Sequence, residues 1–311
     1  TSFDPKEIPS DKEVKTADQL NVPLPADNLS LHTLAVNLSK SLPRDAALPT
    51  DREKAGAWVQ ERRETLRQLV RAKGYDAHTQ SSTEETKGDA KAIYWRLKVG
   101  EWALPVVELT RGAAAPKGSV LLLADKGRKE AAAKARALLD AGNRVFALDP
   151  FYVGESKVIE KDYLFALLLG ALGDRPLGLQ ATEIAAVSRW ARGERKAGPL
   201  SVVADGPRTS VMALVAAALE PEAIAGLELR GSYGSLKEII EGNKVYNDSP
   251  ELFCFGLLER FDIAQLAALS APRPVTFVEP SARARSELAG LAAWYATWGS
   301  THQPLGGAAS K

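Results

Sequence analysis

Cysteine, histidine and methionine are scarce in this chain of 311 residues. The one cysteine, Cys254, excludes an internal disulfide framework, and its neighbours Phe253 and Phe255 favour a buried structural thiol over a reactive one. The chain has three histidines, at His32, His78 and His302. Neither a cluster with metal-ligand spacing nor a nucleotide-binding motif is found, so the sequence predicts no metal and no cofactor.

The chain also lacks an excess of charge of one sign. Lys and Arg number 40 against 39 Asp and Glu, and the two signs are interspersed, so we expect neither a nucleic-acid nor a membrane partner. No apolar run reaches the ~18 residues of a membrane span, and the N-terminus does not resemble a signal peptide. Because the chain begins at Thr1 and its one methionine is Met212, we predict a mature exported form, periplasmic or extracellular, or a piece of a longer protein.

What the sequence does contain is an arm followed by a large globular domain. Residues 1–48 carry five prolines, many charges and weak periodicity, which is typical of an extended arm or linker. The domain is predicted over 49–311. It opens with a lead-in helix over 50–74, where a capping-box pattern precedes apolar residues at helical spacing and Gly74 supplies the end.

The rest of the domain alternates between strands and helices. We predict a loop over 76–89 and two antiparallel strands within 93–109. From residue 119 onward the pattern predicts a three-layer α/β fold, with a mostly parallel sheet, helices on both faces and the antiparallel pair at one edge. The predicted strands are 120–124, 144–148, 200–204, 224–229 and 275–278, and the predicted helices are 129–141, 181–192, 210–219, a short one from 235, and 282–298. Ligands bind such sheets beyond the carboxyl ends of the strands.

The turn after the strand at 200–204 is where a catalytic nucleophile is expected. A β-branched run, a tight polar turn and an apolar helix follow one another there, which resembles the nucleophile elbow of an α/β-hydrolase. The turn reads Asp205-Gly206-Pro207-Arg208-Thr209-Ser210, and the chain contains no G-x-S-x-G. Depending on register, the elbow position is Asp205 or Gly206, and neither can be an acyl-accepting hydroxyl nucleophile.

Two further stretches carry the resemblance. Residues 149–156, Asp-Pro-Phe-Tyr-Val-Gly-Glu-Ser, resemble the turn after strand four of α/β-hydrolases. Residues 250–258, with 271–275, resemble the approach to strand seven of acetyl xylan esterases and dienelactone-hydrolase-like enzymes. Residues 27–35 resemble the junction in longer family members where a second hydrolase-like half follows a first. The resemblance implies an α/β-hydrolase fold and, if the chain is active, a carboxylic-ester hydrolase of the acetyl esterase type.

The resemblance also implies a serine, an acid and a histidine in that order, with backbone donors for the oxyanion. Glu279 is the one carboxylate beside the end of strand seven, and it is either the acid or a solvated turn residue. Thirteen residues follow Trp298, without strand periodicity, so we predict a sheet shortened at its C-terminal edge, without the last strand and its histidine loop. Joint loss of nucleophile, base and supporting strand predicts a non-catalytic homologue.

Two alternatives remain for the turn at 205–210. In the first, an active ester hydrolase has a relocated centre with Ser210 as nucleophile and His302 as base, although a hydroxyl in a first helical turn more often caps backbone donors. In the second, the helix start binds an anion with the help of Arg208 and Thr209.

Charged residues at neighbouring strand ends offer a simpler interpretation of the same region. Arg208 is predicted to pair with a carboxylate such as Asp125 or Asp149. The loop Asp125-Lys126-Gly127-Arg128, which would lend an oxyanion donor, suits a salt-bridged plug better than an acyl pocket.

Eight aromatic side chains have two possible roles, sugar binding and core packing. A sugar-stacking surface or, more simply, core packing is predicted for Tyr152, Tyr163, Tyr233, Tyr246, Trp95, Trp102, Trp294 and Trp298. The sequence thus predicts a degenerate hydrolase-like module. It would act as the partner half of an active esterase domain in the same longer chain, as a binding surface for a plant-type or other polysaccharide, or as a purely structural domain.

Overall fold

One eight-stranded sheet organises the domain. A computed structural model describes residue 6 and residues 10–158 and 161–306. The strands are β1 Ala77–Lys87, β2 Ala90–Val99, β3 Trp102–Arg111, β4 Gly118–Ala124, β5 Asn143–Leu148, β6 Leu200–Asp205, β7 Ile224–Arg230 and β8 Val275–Val278. Their order across the sheet is β1-β2-β3-β5-β4-β6-β7-β8. The five strands from β5 to β8 in this order run parallel, whereas β1, β2 and β3 pair antiparallel and β3 joins β5 antiparallel.

Helices connect the parallel strands and precede the sheet. They are α1 Ala17–Leu20, α2 Leu31–Ser39, α3 Arg52–Val70, α4 Ala132–Asp140, α5 Asp162–Ala171, α6 Pro176–Gly193, α7 Pro207–Leu219, α8 Lys237–Glu241, α9 Leu257–Arg260, α10 Ile263–Ala268, α11 Ala282–Glu287 and α12 Leu291–Thr297. Short 3-10 helices lie at Gly154–Ser156, Tyr246–Asp248 and Pro250–Leu252. None of the helices within the described residues is long and apolar enough to cross a membrane.

The sheet is covered on both faces because successive strand residues point to opposite sides. Leu121 and Leu123 of β4 join the large core cluster that also contains buried residues of α3, α6 and α7. Val120 and Leu122 belong to a smaller cluster with Ala135 of α4. The three-layer α/β architecture predicted from the alternating pattern is therefore confirmed, with most helices on one face.

The prediction of a loop over 76–89 is wrong, because β1 spans Ala77–Lys87 and pairs with β2 along its whole length. Ala77 is its one buried residue, so the strand carries no apolar alternation that sequence reasoning could detect. The hairpin turn contains Gly88 at φ +63°, a left-handed conformation that glycine adopts without strain. The antiparallel edge therefore has three strands where two were predicted.

The predicted helix over 282–298 is two helices, α11 and α12. Leu288 to Gly290 interrupt it, and burial of Leu288 and Leu291 against the same core allows the apolar spacing to continue across the break. The other predicted helices and strands are present, β8 with its predicted ends and the rest with shifted ends. Helix α6 begins at Pro176 and α7 at Pro207, where proline suits a first helical turn.

Strand β8 forms one edge of the sheet. Between β8 and Gly306 the described residues form no further strand. The tail instead covers the edge through one backbone contact, in which the Phe277 N–H donates to the Pro304 carbonyl at 2.8 Å. This contact satisfies an edge donor that a neighbouring strand would otherwise bond.

Candidate functional site

The candidate site lies where β4, β5 and β6 end. Ala124 pairs with Asp205 and Asp205 pairs with Arg230, so the turns after β4 and β6 start side by side. Two backbone bonds hold the turn after β6 to its neighbours, one to the turn after β4 and one to the end of β7. The Asp125 N–H donates to the Asp205 carbonyl at 2.9 Å, and the Gly206 N–H donates to the Arg230 carbonyl at 2.9 Å.

Gly206 occupies the sharp turn between β6 and α7. Its φ of +121° lies in a region that L side chains rarely adopt. A Cβ atom built on Gly206 would lie 2.2 Å from the Cγ atom of Asp125. A serine at this position is therefore incompatible with the present place of Asp125.

The carboxylate of Asp125 caps the start of α7. Its Oδ2 accepts from the Arg208 N–H at 3.0 Å, and its Oδ1 accepts from both the N–H and the hydroxyl of Thr209 at 2.7 Å. These N–H groups are among the donors that a helix leaves unbonded at its N-terminus. An anion site at this helix start was one prediction, and the chain's own carboxylate holds the donors that such a site would use.

Backbone donors for an oxyanion are also missing or engaged. If Gly206 is the elbow position, the next residue is Pro207, which has no N–H. If Asp205 is the elbow position, the next N–H is that of Gly206, which donates to Arg230. In the loop after β4, the Gly127 N–H donates to the Ala124 carbonyl at 2.9 Å.

Arg208 is paired, but its partner differs from the two carboxylates that the sequence singled out. Its Nε donates to Glu251 Oε1 at 2.5 Å and its Nη2 donates to Glu251 Oε2 at 3.1 Å. Glu251 is fully buried in the 3-10 helix Pro250–Leu252. Chain folding brings residues 43 positions apart together. Glu251 was not singled out from the sequence, although a lone carboxylate between apolar neighbours indicates a buried, paired group.

Asp149 holds the loop after β4 to the loop after β5. Its Oδ1 accepts from the Arg128 N–H at 2.6 Å, and its Oδ2 accepts from Arg128 Nη1 at 2.9 Å and the Glu155 N–H at 3.0 Å. The Arg128 guanidinium also pairs with Glu155. Burial raises the pKa of Asp149, while these bonds from Arg128 oppose that rise. The loop over 125–128 thus forms ion pairs across the strand ends.

The candidate triad residues lie apart. Ser210 is fully buried in α7, and its Oγ has no hydrogen-bond partner among the residues that the structure describes. His302 Nε2 lies 2.9 Å from the carbonyl oxygen of Val275, at the opposite end of the sheet. Glu279 is exposed beyond β8 with φ +50°, and the side chain of Asp205 is exposed at the end of β6.

The eight aromatic residues singled out from the sequence pack within the domain. Each is buried or half-buried. Trp95 packs edge-on against Trp190 at 5.3 Å between ring centroids, and Trp294 donates to the Ala268 carbonyl at 2.9 Å. Across the described ranges, no group of three or more His, Cys, Asp or Glu side chains is arranged to hold a metal ion.

Glu183 is a buried carboxyl that the sequence analysis missed. It lies on α6 and accepts from Trp102 Nε1 and from the Phe151 N–H, both at 2.7 Å. Burial raises its pKa to about 7, although the two hydrogen bonds act in the opposite direction. Through Phe151, this group supports the loop after β5.

Comparison with known proteins places the fold. No family model matches the sequence, and no curated protein matches it either. The structure resembles a candidate acetyl xylan esterase from Bacteroides fragilis with a TM-score of 0.68 at 15% identity, covering 88% of this chain and 81% of that one. It resembles a glucuronoyl esterase from Solibacter usitatus with a TM-score of 0.56 at 13% identity, covering 79% and 82%. A methylesterase designated BT1017 gives 0.56 at 14% identity, covering 88% and 63%. The domain therefore has an α/β-hydrolase-like fold.

Replacing Asp125 tests its role as the cap of α7. We expect Asp125→Ala to lower the free energy of unfolding by about 1–3 kcal/mol, because buried N–H donors lose their acceptor. Asp125→Asn keeps one oxygen acceptor and should cost less. Asp205→Ala removes an exposed carboxylate from the same turn and should stay within about 0.5 kcal/mol of the wild type.

Guanidinium denaturation at fixed pH measures these differences. Sulfate should then stabilise Asp125→Ala more than the wild type, because the vacated donors can bind an anion. Equal stability of the Asp125→Ala and Asp205→Ala variants would contradict the capping role.

The raised pKa of Glu183 predicts a pH dependence of stability. The folded state keeps the proton up to about pH 7, whereas the unfolded carboxyl loses it near 4.5. The stabilising contribution is therefore complete below pH 4.5 and is lost as pH rises through 7, by about 3 kcal/mol. In urea unfolding between pH 4.5 and 7.5, the stability of the wild type relative to Glu183→Gln should fall by this amount. Parallel pH curves for the two proteins would exclude it.

Proposed function

We propose that this chain is a non-catalytic module with an α/β-hydrolase fold, an accessory relative of carbohydrate esterases. The fold is established by the sheet order and by the structural likeness to esterases. A fold alone does not carry an activity, so the proposal depends on what stands at the elbow.

The position of Asp125 is the observation that carries the proposal. Its carboxylate fills the space that a side chain on Gly206 would need, and it bonds the first N–H groups of α7. Acyl transfer by this fold needs a hydroxyl at the elbow and free donors beside it. The present arrangement satisfies those donors internally and leaves the elbow without a hydroxyl nucleophile.

The surroundings of Ser210 support the same proposal. A relocated centre would need a base within about 3 Å of a reactive hydroxyl. Ser210 Oγ is buried, and His302 instead contacts Val275 and packs on Tyr295 with ring centroids 4.9 Å apart. The active-hydrolase alternative therefore has no geometric support at this turn.

Hydrolysis of p-nitrophenyl acetate and of acetylated xylan tests the proposal. We expect no saturable turnover by the wild type, and none by Ser210→Ala or Arg208→Ala. Arg208→Ala also asks whether removing the ion pair with Glu251 uncovers a latent site. Because that change leaves a buried carboxylate unpaired at a cost of about 3–5 kcal/mol, circular dichroism must first show a folded variant.

An active acetyl xylan esterase serves as the positive control for both substrates. Wild-type turnover that Ser210→Ala abolishes would establish the relocated active centre and overturn the proposal. Turnover that survives in Ser210→Ala would overturn it too, since another nucleophile would then be at work.

We also propose that the accessory role is exercised on a catalytic esterase domain. Support comes from the arm, which touches the domain through a few bonds, such as Arg62 Nη2 to the Asp45 carbonyl at 2.8 Å and the Arg44 N–H to the Glu259 carbonyl at 2.9 Å. Large apolar side chains of the arm are exposed at Val14, Leu20, Val22, Leu24, Leu29, Leu31, Leu34 and Leu38. Binding to a polysaccharide, and export of the chain, remain predictions from the sequence.

Sedimentation of the chain with an acetyl xylan esterase domain from the same source tests this role. We expect a complex that the double substitution Leu31→Asp and Leu38→Asp weakens at least tenfold, because it places charges on the exposed apolar face. The matched change Leu172→Asp, outside the arm, should leave the complex intact. Absence of a complex with the wild type would contradict the role.

A further inference from the structure

A groove beside α5 has a composition that the proposed function does not use. We call it the α5 groove. It has a volume of about 490 Å³ and lies between α5, the start of α6 and the segment that follows Pro250. Most of its lining is apolar, from Leu167, Pro176, Tyr246, Phe253 and Phe255. This volume is in the range of small-molecule sites, which lie at about 300–1,000 Å³.

The apolar wall of the groove is open to solvent. On α5, Leu167 is 53% exposed, and across the groove Phe255 is 78% exposed. The α5 sequence is almost entirely apolar, and residues 164–169 read Leu-Phe-Ala-Leu-Leu-Leu. Large apolar side chains clustered around a concave surface are a feature of ligand sites rather than of ordinary surface.

One cation stands in this apolar lining without a partner. Arg175 stacks on the Phe255 ring at 5.4 Å, and its Nε is buried. Within residues 10–158 and 161–306, its guanidinium has no hydrogen bond or ion pair. Arg175 as a whole is half-buried, so its guanidinium can meet an incoming carboxylate, whose geometry two parallel N–H bonds match.

The carboxylates of the lining are already engaged. Asp174 pairs with Lys73 at 2.6 Å, and Glu251 is bonded by Arg208. Cys254 also lines the groove, and burial raises the pKa of its thiol to about 11, so at neutral pH it is an uncharged thiol. The charge that the groove presents to a ligand is therefore the positive charge of Arg175, surrounded by apolar side chains.

We propose that the α5 groove binds a small amphipathic carboxylic acid. The carboxylate lies on the Arg175 guanidinium, and the hydrocarbon or aromatic body lies along Leu167, Phe253 and Phe255. The inference goes beyond the proposed function and does not rest on it, because Arg175 and the apolar lining lie outside the turn at 205–210, although Glu251 of the lining also pairs with Arg208. A protein partner on the same apolar surface is the competing occupant, and the charged Arg175 favours the acid.

Isothermal titration calorimetry with 3-phenylpropionate and octanoate tests this site. We expect saturable one-to-one binding of each acid and at least tenfold weaker binding of the neutral 3-phenylpropanol. Arg175→Gln should weaken the acids at least tenfold and leave 3-phenylpropanol unchanged, whereas Leu167→Asp should weaken all three compounds. Neither substitution removes an intramolecular hydrogen bond or ion pair of Arg175, so both variants should fold.

Arg96→Gln is the matched control, since Arg96 is an exposed arginine on β2 away from the groove, and its affinity for the acids should equal that of the wild type. Three results would overturn the proposal. The first is no saturable binding at millimolar acid. The second is equal affinity for acid and alcohol, or for wild type and Arg175→Gln. The third is a wild-type dimer by sedimentation that Leu167→Asp dissociates, which would assign the groove to a second copy of the chain.

Discussion

The bond between Asp125 and the start of α7 is the constraint on which the candidate site depends. It joins the end of β4 to the helix that follows β6, and it requires glycine at position 206. In a hydrolase the same point of the fold presents a reactive side chain to the substrate. Here the carboxylate of Asp125 accepts hydrogen bonds from the N–H groups of Arg208 and Thr209 at the start of α7.

Ion pairs also connect the loops at the neighbouring strand ends. Arg208 with Glu251 and Arg128 with Asp149 each place a buried carboxylate against a largely buried arginine side chain. Breaking one partner of such a pair costs about 3–5 kcal/mol, which is a large part of the stability of an ordinary domain. Glu251, the partner of Arg208, also lines the α5 groove.

The structural neighbours and the site chemistry therefore point in different directions. The sheet and its helices resemble those of esterases at identities of 13–15%. At that distance the likeness concerns the backbone, because the same layers can be packed by many sequences. Function therefore depends on individual residues and not on the fold.

The sequence by itself determined the alternation of strands and helices and the absence of a serine motif. Those features are local, since periodicity, proline and glycine act on neighbouring residues. It could not reveal β1, which is exposed along ten of its eleven residues, nor Glu251 as the partner of Arg208. It also could not reveal Asp125 as the cap of α7, 83 residues away along the chain. Only the tertiary structure decided these points, because long-range pairing depends on which strand ends the sheet order brings side by side.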